Sequence, residues 1–505
     1  MTVNVVWFKR DLRVTDHWPL VEAAARGPCV CLYIYEPSVL TSSEFDASHL
    51  DFINESLRNL ADELKELGGA LTVRRGEAVE VLKDLHAERG IETLWSHEET
   101  GTNLTFTRDK AVGAWARQEN IHWVEIAQHG VVRRLKTRDG WSKKWQHFVN
   151  ARLAPRPTSI DSPSGLPSAG VLSASDLGLP PSTRSAVQTG GSRMARKVMD
   201  SFLEARGEGY QSAMSSPVSA WDGCSRISAH LAWGNISIRT VYQLTRRRVD
   251  ALQAAREVTQ VSSGAWLKSL RSFEERLRWH CHFIQKLEDQ PSLEFSNLSR
   301  AYDGIREEDF STERFSAWCE GQTGFPLVDA CMRALHATGW INFRMRAMLM
   351  SFASYQLWLD WRPTANYLQR LFLDFEPGIH FSQSQMQSGV TGINTFRIYS
   401  PIKQVLDQDP SGVFIREYCP ELEAVPDSYI AEPHKMPPML QQQIGCVIGK
   451  HYPLPIVEHG PAYSAAKKKM FAVKRTASAR SEAQQVFRRH GSRRRSRSRD
   501  MFASS

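Results

Sequence analysis

Short unbroken apolar runs alternate with stretches of helical spacing over the first 130 residues, and this alternation limits the fold more than any other feature. Val3–Phe8, Cys29–Tyr35, Ala70–Arg75, Thr93–Ser96 and Trp123–Ile126 read as strands buried on both faces, because a half-exposed strand would interleave polar residues. Between them, Leu50–Leu67 (LDFINESLRNLADELKEL) places apolar residues three and four apart, the helix period. Apolar strands joined through helices require helices over both sheet faces. The expected fold here is an α/β doubly wound parallel sheet. No Gly-x-Gly-x-x-Gly follows the first strand, so the dinucleotide fingerprint is missing.

A chain of 505 residues exceeds one hydrophobic core. Pro155–Gly191 is rich in Pro, Ser and Gly, lacks periodicity, and reads as a linker over the surface. Beyond Met194 strand-like alternation ends, and helical patterns such as Ser272–Leu287, Pro326–Leu335 and Phe343–Trp358 continue to about Leu440. The expected division is an N-terminal α/β domain (1–132), a basic segment and linker (133–195), an all-helical domain (196–462) and an extension (463–505). In the extension, Tyr463–Phe487 suggests one amphipathic helix. The arginine/serine run that follows cannot bury a core and is expected to be disordered.

The net charge of +8 is concentrated at that end, where Arg488–Asp500 carries seven arginines against one aspartate. Such a tail adds salt-sensitive phosphate affinity or is simply a solvated tail. Arg133–Trp145 (RRLKTRDGWSKKW) interleaves bases with Trp141 and Trp145, which suits either a phosphate-tracking surface or a solvated basic face. The eight cysteines are scattered and read as buried thiols of a reducing compartment. Trp279-His280-Cys281-His282 looks metal-like, but adjacent residues diverge on a helix and no second ligand cluster completes it, so no metal is expected. No apolar run of membrane-spanning length occurs. The opening MTVNVVWFKRDLR has the wrong charge order for a signal peptide, so the cytoplasm is expected.

Three later segments carry chemistry. Ser225 and Ser228 sit where a helix is expected to start after Trp221-Asp222-Gly223, so backbone N–H groups there offer either an anion site or ordinary capping. Arg344 and Arg346 enter an otherwise apolar helix and need carboxylate or phosphate partners. In Phe372–His380, Asp374 and Glu376 alternate with apolar residues, forming a ligand wall or a hydrogen-bonded core turn.

Taken in order, these segments resemble the photolyase/cryptochrome superfamily. The similarity rests on Trp7–Asp16 (WFKRDLRVTD), Tyr210, Ser225–Ser228, Thr323–Ala330 (TGFPLVDA), Gly339-Trp340 and Phe396-Arg397-Ile398, and runs to about Val457. The resemblance implies an FAD folded within the helical domain. It assigns cofactor contacts to Tyr210, Cys224, Ser225, Arg226, Ile227, Ser228, Arg346, Asp374, Phe375 and Glu376, with Arg346 and Asp374 paired beside the isoalloxazine. It implies repair of UV-damaged DNA, single- or double-stranded, by electron transfer from reduced flavin to a flipped-out cyclobutane pyrimidine dimer; a (6-4) photolyase and a cryptochrome photoreceptor are the alternatives. DNA contacts fall on Arg276, Trp279, His280, Phe283, Phe343 and Arg344, and the catalytic positions on Trp279, His380 and Asn342.

Several family positions differ. A carboxylate near the dimer is Arg276 here, an asparagine is Phe343, with Asn342 adjacent, and a methionine is Ala347. Of the family's electron-relay tryptophans, Trp361 matches the middle one, whereas Ser384, or Ser382 if the gap shifts, takes the flavin-proximal place and Glu308 lies near the outer one. The usual relay is therefore expected to be inactive, with either Trp358, Tyr355 or Tyr399 as substitutes or the flavin reduced from solution. His380 takes the position facing flavin N5 and is expected to couple the flavin to pH near neutrality. The loop Ser96–Thr105 lacks the asparagine–glutamate pair of a folate antenna, leaving the second chromophore open. A monomer without membrane attachment completes the expectation.

Overall fold

The computed structural model describes residues 2–259 and 264–491, so the arginine/serine run expected to be disordered lies, from residue 492 on, outside the described residues. Among the described residues five strands form one sheet: β1 (Val3–Phe8), β2 (Cys29–Tyr35), β3 (Leu71–Arg75), β4 (Ile91–His97) and β5 (His122–Ile126). All neighbours pair parallel in the order β3-β2-β1-β4-β5, with Val5 of β1 opposite Val30 and Leu94. Every residue of β1 and β2 is buried, which is why both, Asn4 apart, read as apolar runs. The doubly wound fold follows, with helix α1 (Ala47–Glu66) among those packed on the sheet.

The proline- and serine-rich linker is more than a surface strap. Ala169 N–H donates to Val73 O at 2.9 Å, and the Ser162 and Ser168 hydroxyls accept from Ala70 and Val73 N–H at 3.0 Å. The linker thus covers the open edge of β3, which would otherwise template pairing with another chain. Ile160 and Leu177 also enter the core of the α/β domain.

Named helices of the second part are α2 (Gly264–Asp289), α3 (Phe343–Ser351), α4 (Trp361–Leu371), α5 (Pro377–Ser388), α6 (His459–Lys474) and α7 (Ala477–His490). Two expected helices are corrected. Phe343–Trp358 is not continuous: after α3 the backbone widens into a π turn over Phe352–Gln356, and Trp358 is left-handed at φ 56°. The buried Arg306 takes the Ser354 carbonyl at 2.8 Å, which an α-helix would have given to the Trp358 N–H. Tyr463–Phe487 is likewise two helices, parted at Arg475–Thr476, where the Thr476 hydroxyl caps α7 by accepting from Ala479 N–H at 3.2 Å.

The turn after β1 fastens the two halves of the chain together. Asp16, fully buried, accepts from Ala154 N–H (2.8 Å), the Ser237 hydroxyl (2.5 Å) and Arg239 Nε (3.1 Å). Arg13 donates to Gly234 O at 2.9 Å. Removing one partner of a buried ion pair strands the other charge. Asp16→Ala is therefore expected to lower unfolding stability by about 3–5 kcal/mol in urea denaturation; a loss under about 1 kcal/mol, the worth of an exposed pair, would contradict this account.

Candidate functional site

A cavity of about 1110 Å³ opens within the helical part, larger than the roughly 300–1000 Å³ of ordinary small-ligand clefts. Tyr210, Cys224, Ser225, Arg226, Ile227, Ser228, Arg346, Asp374, Phe375, Glu376 and His380 all line it. So do Arg276, Trp279, His280, Phe283, Asn342, Phe343 and Arg344. Trp361 does not; it is buried behind, donating to Asn297 Oδ1 at 2.7 Å and lying edge-on to Phe381.

Arg346 grips Asp374 through two hydrogen bonds of 2.9 Å, while its Nε holds Ile341 O at 2.8 Å and its guanidinium covers the Phe372 ring. Burial pushes the Asp374 carboxyl up, but the Arg346 charge and hydrogen bonds, helped by Ser228, outweigh it and leave it below the usual carboxylate range. Ser228 thus ties the serine loop to the ion pair. The segment bearing Asp374 is fixed from outside as well. His49 Nε2 donates to Phe372 O at 3.0 Å and Trp233 Nε1 to Leu373 O at 2.9 Å; Arg10 donates to Phe375 O.

The serine loop differs from its expected form. Trp221-Asp222-Gly223 belongs to the helix Pro217–Gly223, and the helix that follows, Ser228–Ala232, has only five residues. Arg226, left-handed at φ 59°, lays its guanidinium 3.7 Å from the Trp221 ring centroid and 3.9 Å from that of Trp340. Its buried Nε and Nη1 have no protein partner, nor have Asn342 Oδ1, Arg344 Nε, Glu376 Oε1 or the Gln383 amide, all on the cavity wall. Buried polar atoms of this kind need a partner. A ligand with an anionic linker and a polar-edged planar ring answers that need, so the residues fit FAD. The aromatic cage around Arg226 was not legible beforehand, since Trp221 and Trp340 lie far apart in sequence.

Nine lysines and arginines face the cavity (Arg138, Lys143, Arg226, Arg276, Arg278, Lys286, Arg344, Arg346 and Arg397) against two carboxylates. Asp374 is paired, and burial raises Glu376 to about 7, so that it is close to half-protonated at neutral pH. The mouth is aromatic: Trp279 is 40 % and Phe343 44 % exposed, with the Arg276 guanidinium 4.6 Å and 5.7 Å from their ring centroids.

Other expectations are corrected by geometry. Asn342 spends its amide N–H groups on Met214 O (3.1 Å) and Ser215 O (3.0 Å), leaving only Oδ1 for a ligand. Burial pushes His280 down to about 4, so it faces the cavity as an uncharged ring at neutral pH. Trp141 and Trp145 are core side chains, while Arg133 pairs with Glu288 (2.6 Å) and Arg138 with Asp289 (3.2 Å), so these residues pin the basic segment to α2. Tyr399 lines the cavity, but Trp358 and Tyr355 lie under Arg306, 4.6 Å and 5.5 Å from their centroids. A cation there disfavours removing an electron from either ring. Ser384, which has no oxidisable ring, is on the cavity wall.

A second space, lined by Tyr35, Glu99 and Arg108 among others, measures about 90 Å³, well under the roughly 300 Å³ of small-ligand clefts. Glu99 is already committed to Arg108 at 2.6 Å. Among the described residues, Asp11, His17 and His97 bring possible metal ligands within 4.8 Å. His17 Nδ1 accepts from Leu20 N–H, so its Nε2 carries the proton and donates to Asp11 at 2.9 Å, leaving no lone pair for a metal.

His380 donates from Nε2 to Ala365 O at 2.9 Å among the rings of Phe372, Phe375 and Phe381, and burial lowers it to about 4. The neutral-pH switch expected of it is thus replaced by a ring uncharged above about pH 5. Its folded value lies below its unfolded one, near 6.5, so its burial costs stability progressively as pH falls from there towards 4. Between about pH 5.5 and 8 the absorbance of bound flavin is expected to follow the same pH profile in the parent and in His380→Asn; a transition in that window lost in the variant would overturn this assignment.

Comparison with known proteins agrees with this geometry. Residues 4–152 match the DNA photolyase family and residues 273–472 match the FAD binding domain of DNA photolyase. A deoxyribodipyrimidine photo-lyase of Agrobacterium fabrum is 29% identical over 492 residues, covering 94% of this chain and 98% of its own. A cryptochrome DASH of Gloeobacter violaceus is also 29% identical, covering 90% and 93%. The crystal structure of a bacterial class III photolyase from Agrobacterium tumefaciens superposes with a TM-score of 0.81 at 27% identity, over 94% of this chain and 98% of that one. With both of its halves matched in order by the family models and nearly its whole length by photolyase and cryptochrome relatives, the chain belongs to the photolyase/cryptochrome superfamily.

Proposed function

We infer that the protein is a blue-light-driven, FAD-dependent enzyme that repairs UV-induced pyrimidine dimers in DNA, with cyclobutane dimers as the principal lesion. The observation that carries this reading is the aromatic mouth of Trp279, Arg276 and Phe343, which opens on the same cavity as the Arg346–Asp374 pair. When bound, FAD supplies blue-light absorption and, in reduced form, the electron donor. The chain's own residues do the rest. The Arg226 and Arg346 cations hold negative charge in a buried site, where it is screened least.

Trp279 and Phe343 present faces on which an extruded base stacks, worth roughly 1–3 kcal/mol per base. That offsets the few kcal/mol of unstacking, which is least for damaged or single-stranded DNA. Arg276, a donor without acceptor capacity, suits pyrimidine carbonyl oxygens or the phosphate beside them. Arg344, at the N-terminal end of α3 with Nε unpartnered, suits a backbone phosphate. Glu376, in its protonated form below about pH 7, can donate one hydrogen bond into the cavity and loses that ability as pH rises through about 7. A photoreceptor reading has one specific support: Arg276, Phe343 and Ala347 replace the groups with which the family recognises its lesion.

Illumination of the reduced protein with an oligonucleotide bearing one cyclobutane dimer, single- or double-stranded, is expected to restore the intact pyrimidines; no repair of this lesion or of a (6-4) photoproduct would sink the repair reading in favour of the photoreceptor. Trp279→Ala is expected to weaken binding of dimer-bearing DNA about ten- to hundredfold at unchanged flavin content. Glu376→Gln should flatten the pH dependence of repair between about pH 6 and 8, whereas an unaltered profile would assign that titration elsewhere.

A further inference from the structure

A groove of about 620 Å³ lies between α6 and the helix Pro401–Gln408, within the size range of small-ligand clefts. Arg397 and Tyr399 line both this groove and the large cavity, so their segment is the partition between the two. Ser351 Oγ holds that partition, donating to Arg397 O at 3.2 Å and accepting from Tyr399 N–H at 3.0 Å. The Gln356 amide donates to Tyr399 O at 2.7 Å. Among the described residues no carboxylate lines the groove. Lys403 is engaged with Asp407 at 3.1 Å, whereas Arg397 forms no ion pair among the described residues.

The start of α6 opens into the groove without a cap. Glu458 makes no capping bond, Pro461 has no N–H, and the N–H groups of His459 and Gly460 meet no acceptor among the described residues. Such an end favours negative charge. Water would satisfy it equally well, but the buried wall asks for more. Gln404 is 6 % exposed, and its Oε1 is buried on the groove wall without a protein partner; the buried Nδ1 of His459 has none either. An amide oxygen only accepts, so its missing partner is an N–H or O–H donor. Tyr399 and Tyr463 add half-buried rings, with His459 6.3 Å from the Tyr463 centroid. A ligand that answers all three needs is anionic at one end, flat and aromatic in its body, and carries an N–H donor on its edge. A mononucleotide whose base bears an exocyclic amino group has that make-up, and adenine is the base whose N6 and N7 a glutamine amide matches.

We propose that this groove binds a free adenine mononucleotide, at a site separate from the cavity that fits FAD: the α6 N-terminus and Arg397 hold the phosphate, Tyr399 and Tyr463 flank the base, and Gln404 accepts from its amino group. The site stands apart from the repair reading, since neither Trp279 nor Phe343 takes part in it. Because the partition is pinned by Ser351 and Gln356, occupancy of the groove leaves the flavin in place.

Adenosine monophosphate and inosine monophosphate are titrated calorimetrically into the full chain with its flavin bound. The adenine nucleotide is expected to bind without releasing flavin. The inosine nucleotide, which has a carbonyl oxygen in place of the amino group and so faces Gln404 Oε1 with a second acceptor, should bind about ten- to hundredfold more weakly. Gly460→Asp supplies the first variant. A side chain there meets open space, and an acidic residue in the first turn suits the helix, so the fold is kept while the carboxylate occupies the phosphate position. It is expected to weaken adenosine monophosphate at least about tenfold at the parent's melting temperature and flavin absorbance. Gln404→Met, similar in length but without the acceptor, should erase the preference between the two nucleotides. Failure of adenosine monophosphate to bind, equal affinity for both nucleotides in the parent, or undiminished affinity in Gly460→Asp would each overturn the proposal. Binding that releases flavin would also overturn it, by assigning the nucleotide to the large cavity.

Discussion

The backbone of Phe372–Glu376 is held by donors from three distant places, and the site depends on that grip. His49 in α1, Trp233 after the serine loop, and Arg10 after β1 take the carbonyls of Phe372, Leu373 and Phe375. An isolated loop with those carbonyls exposed would leave Asp374 free to turn to water. Held as it is, Asp374 faces Arg346 in a two-pronged pair and Ser228 in the loop. The α/β half of the molecule thus acts on the cavity without lining much of it. The opening motif Trp7–Asp16 has the same logic: Arg10 steadies the Asp374 segment, while Arg13 and Asp16 tie the halves together at Gly234 and Arg239.

Charge then decides what the cavity admits. Nine cationic side chains face two carboxylates, one neutralised by pairing and the other raised to about 7 by burial. Focused positive potential favours an anionic cofactor inside and a polyanion at the mouth. Arg276 on the cavity wall strengthens that bias and offers hydrogen-bond donors without acceptor capacity. Cations also shape the surroundings of the electron relay. Arg306 beneath Trp358 and Tyr355 both forces the π turn and disfavours oxidation of those rings, leaving Tyr399 as the aromatic among the three that reaches the cavity.

Histidine behaviour follows burial more than sequence neighbourhood. His380, His49 and His280 occupy quite different sequences, yet each is lowered to about 4 because desolvation penalises the charged ring. A histidine near a redox centre suggests a switch at neutral pH. Packed among Phe372, Phe375 and Phe381 and donating to a carbonyl, this one is a neutral positioning group instead.

The sequence by itself determined the parallel sheet, two of whose strands match their expected limits residue for residue, because unbroken apolar runs have few other stable solutions. It also determined the family and most of the residues around the cavity, because the motifs from Trp7 to Ile398, each ambiguous alone, are specific in their order and spacing. What it could not determine depends on contacts between distant segments. The break in the helix after Ser351 needs Arg306, the cage around Arg226 needs Trp221 and Trp340 together, and the uncharged His280 and His380 need the packing around them. Trp141 and Trp145 looked like an interleaved basic surface until burial placed them in the core. The return of α7 to the cavity wall left no local mark at all, since nothing in Ala477–His490 names Gln290 or Asp289 as its neighbours. Local pattern records which residues must be buried; only the folded chain decides which of them meet.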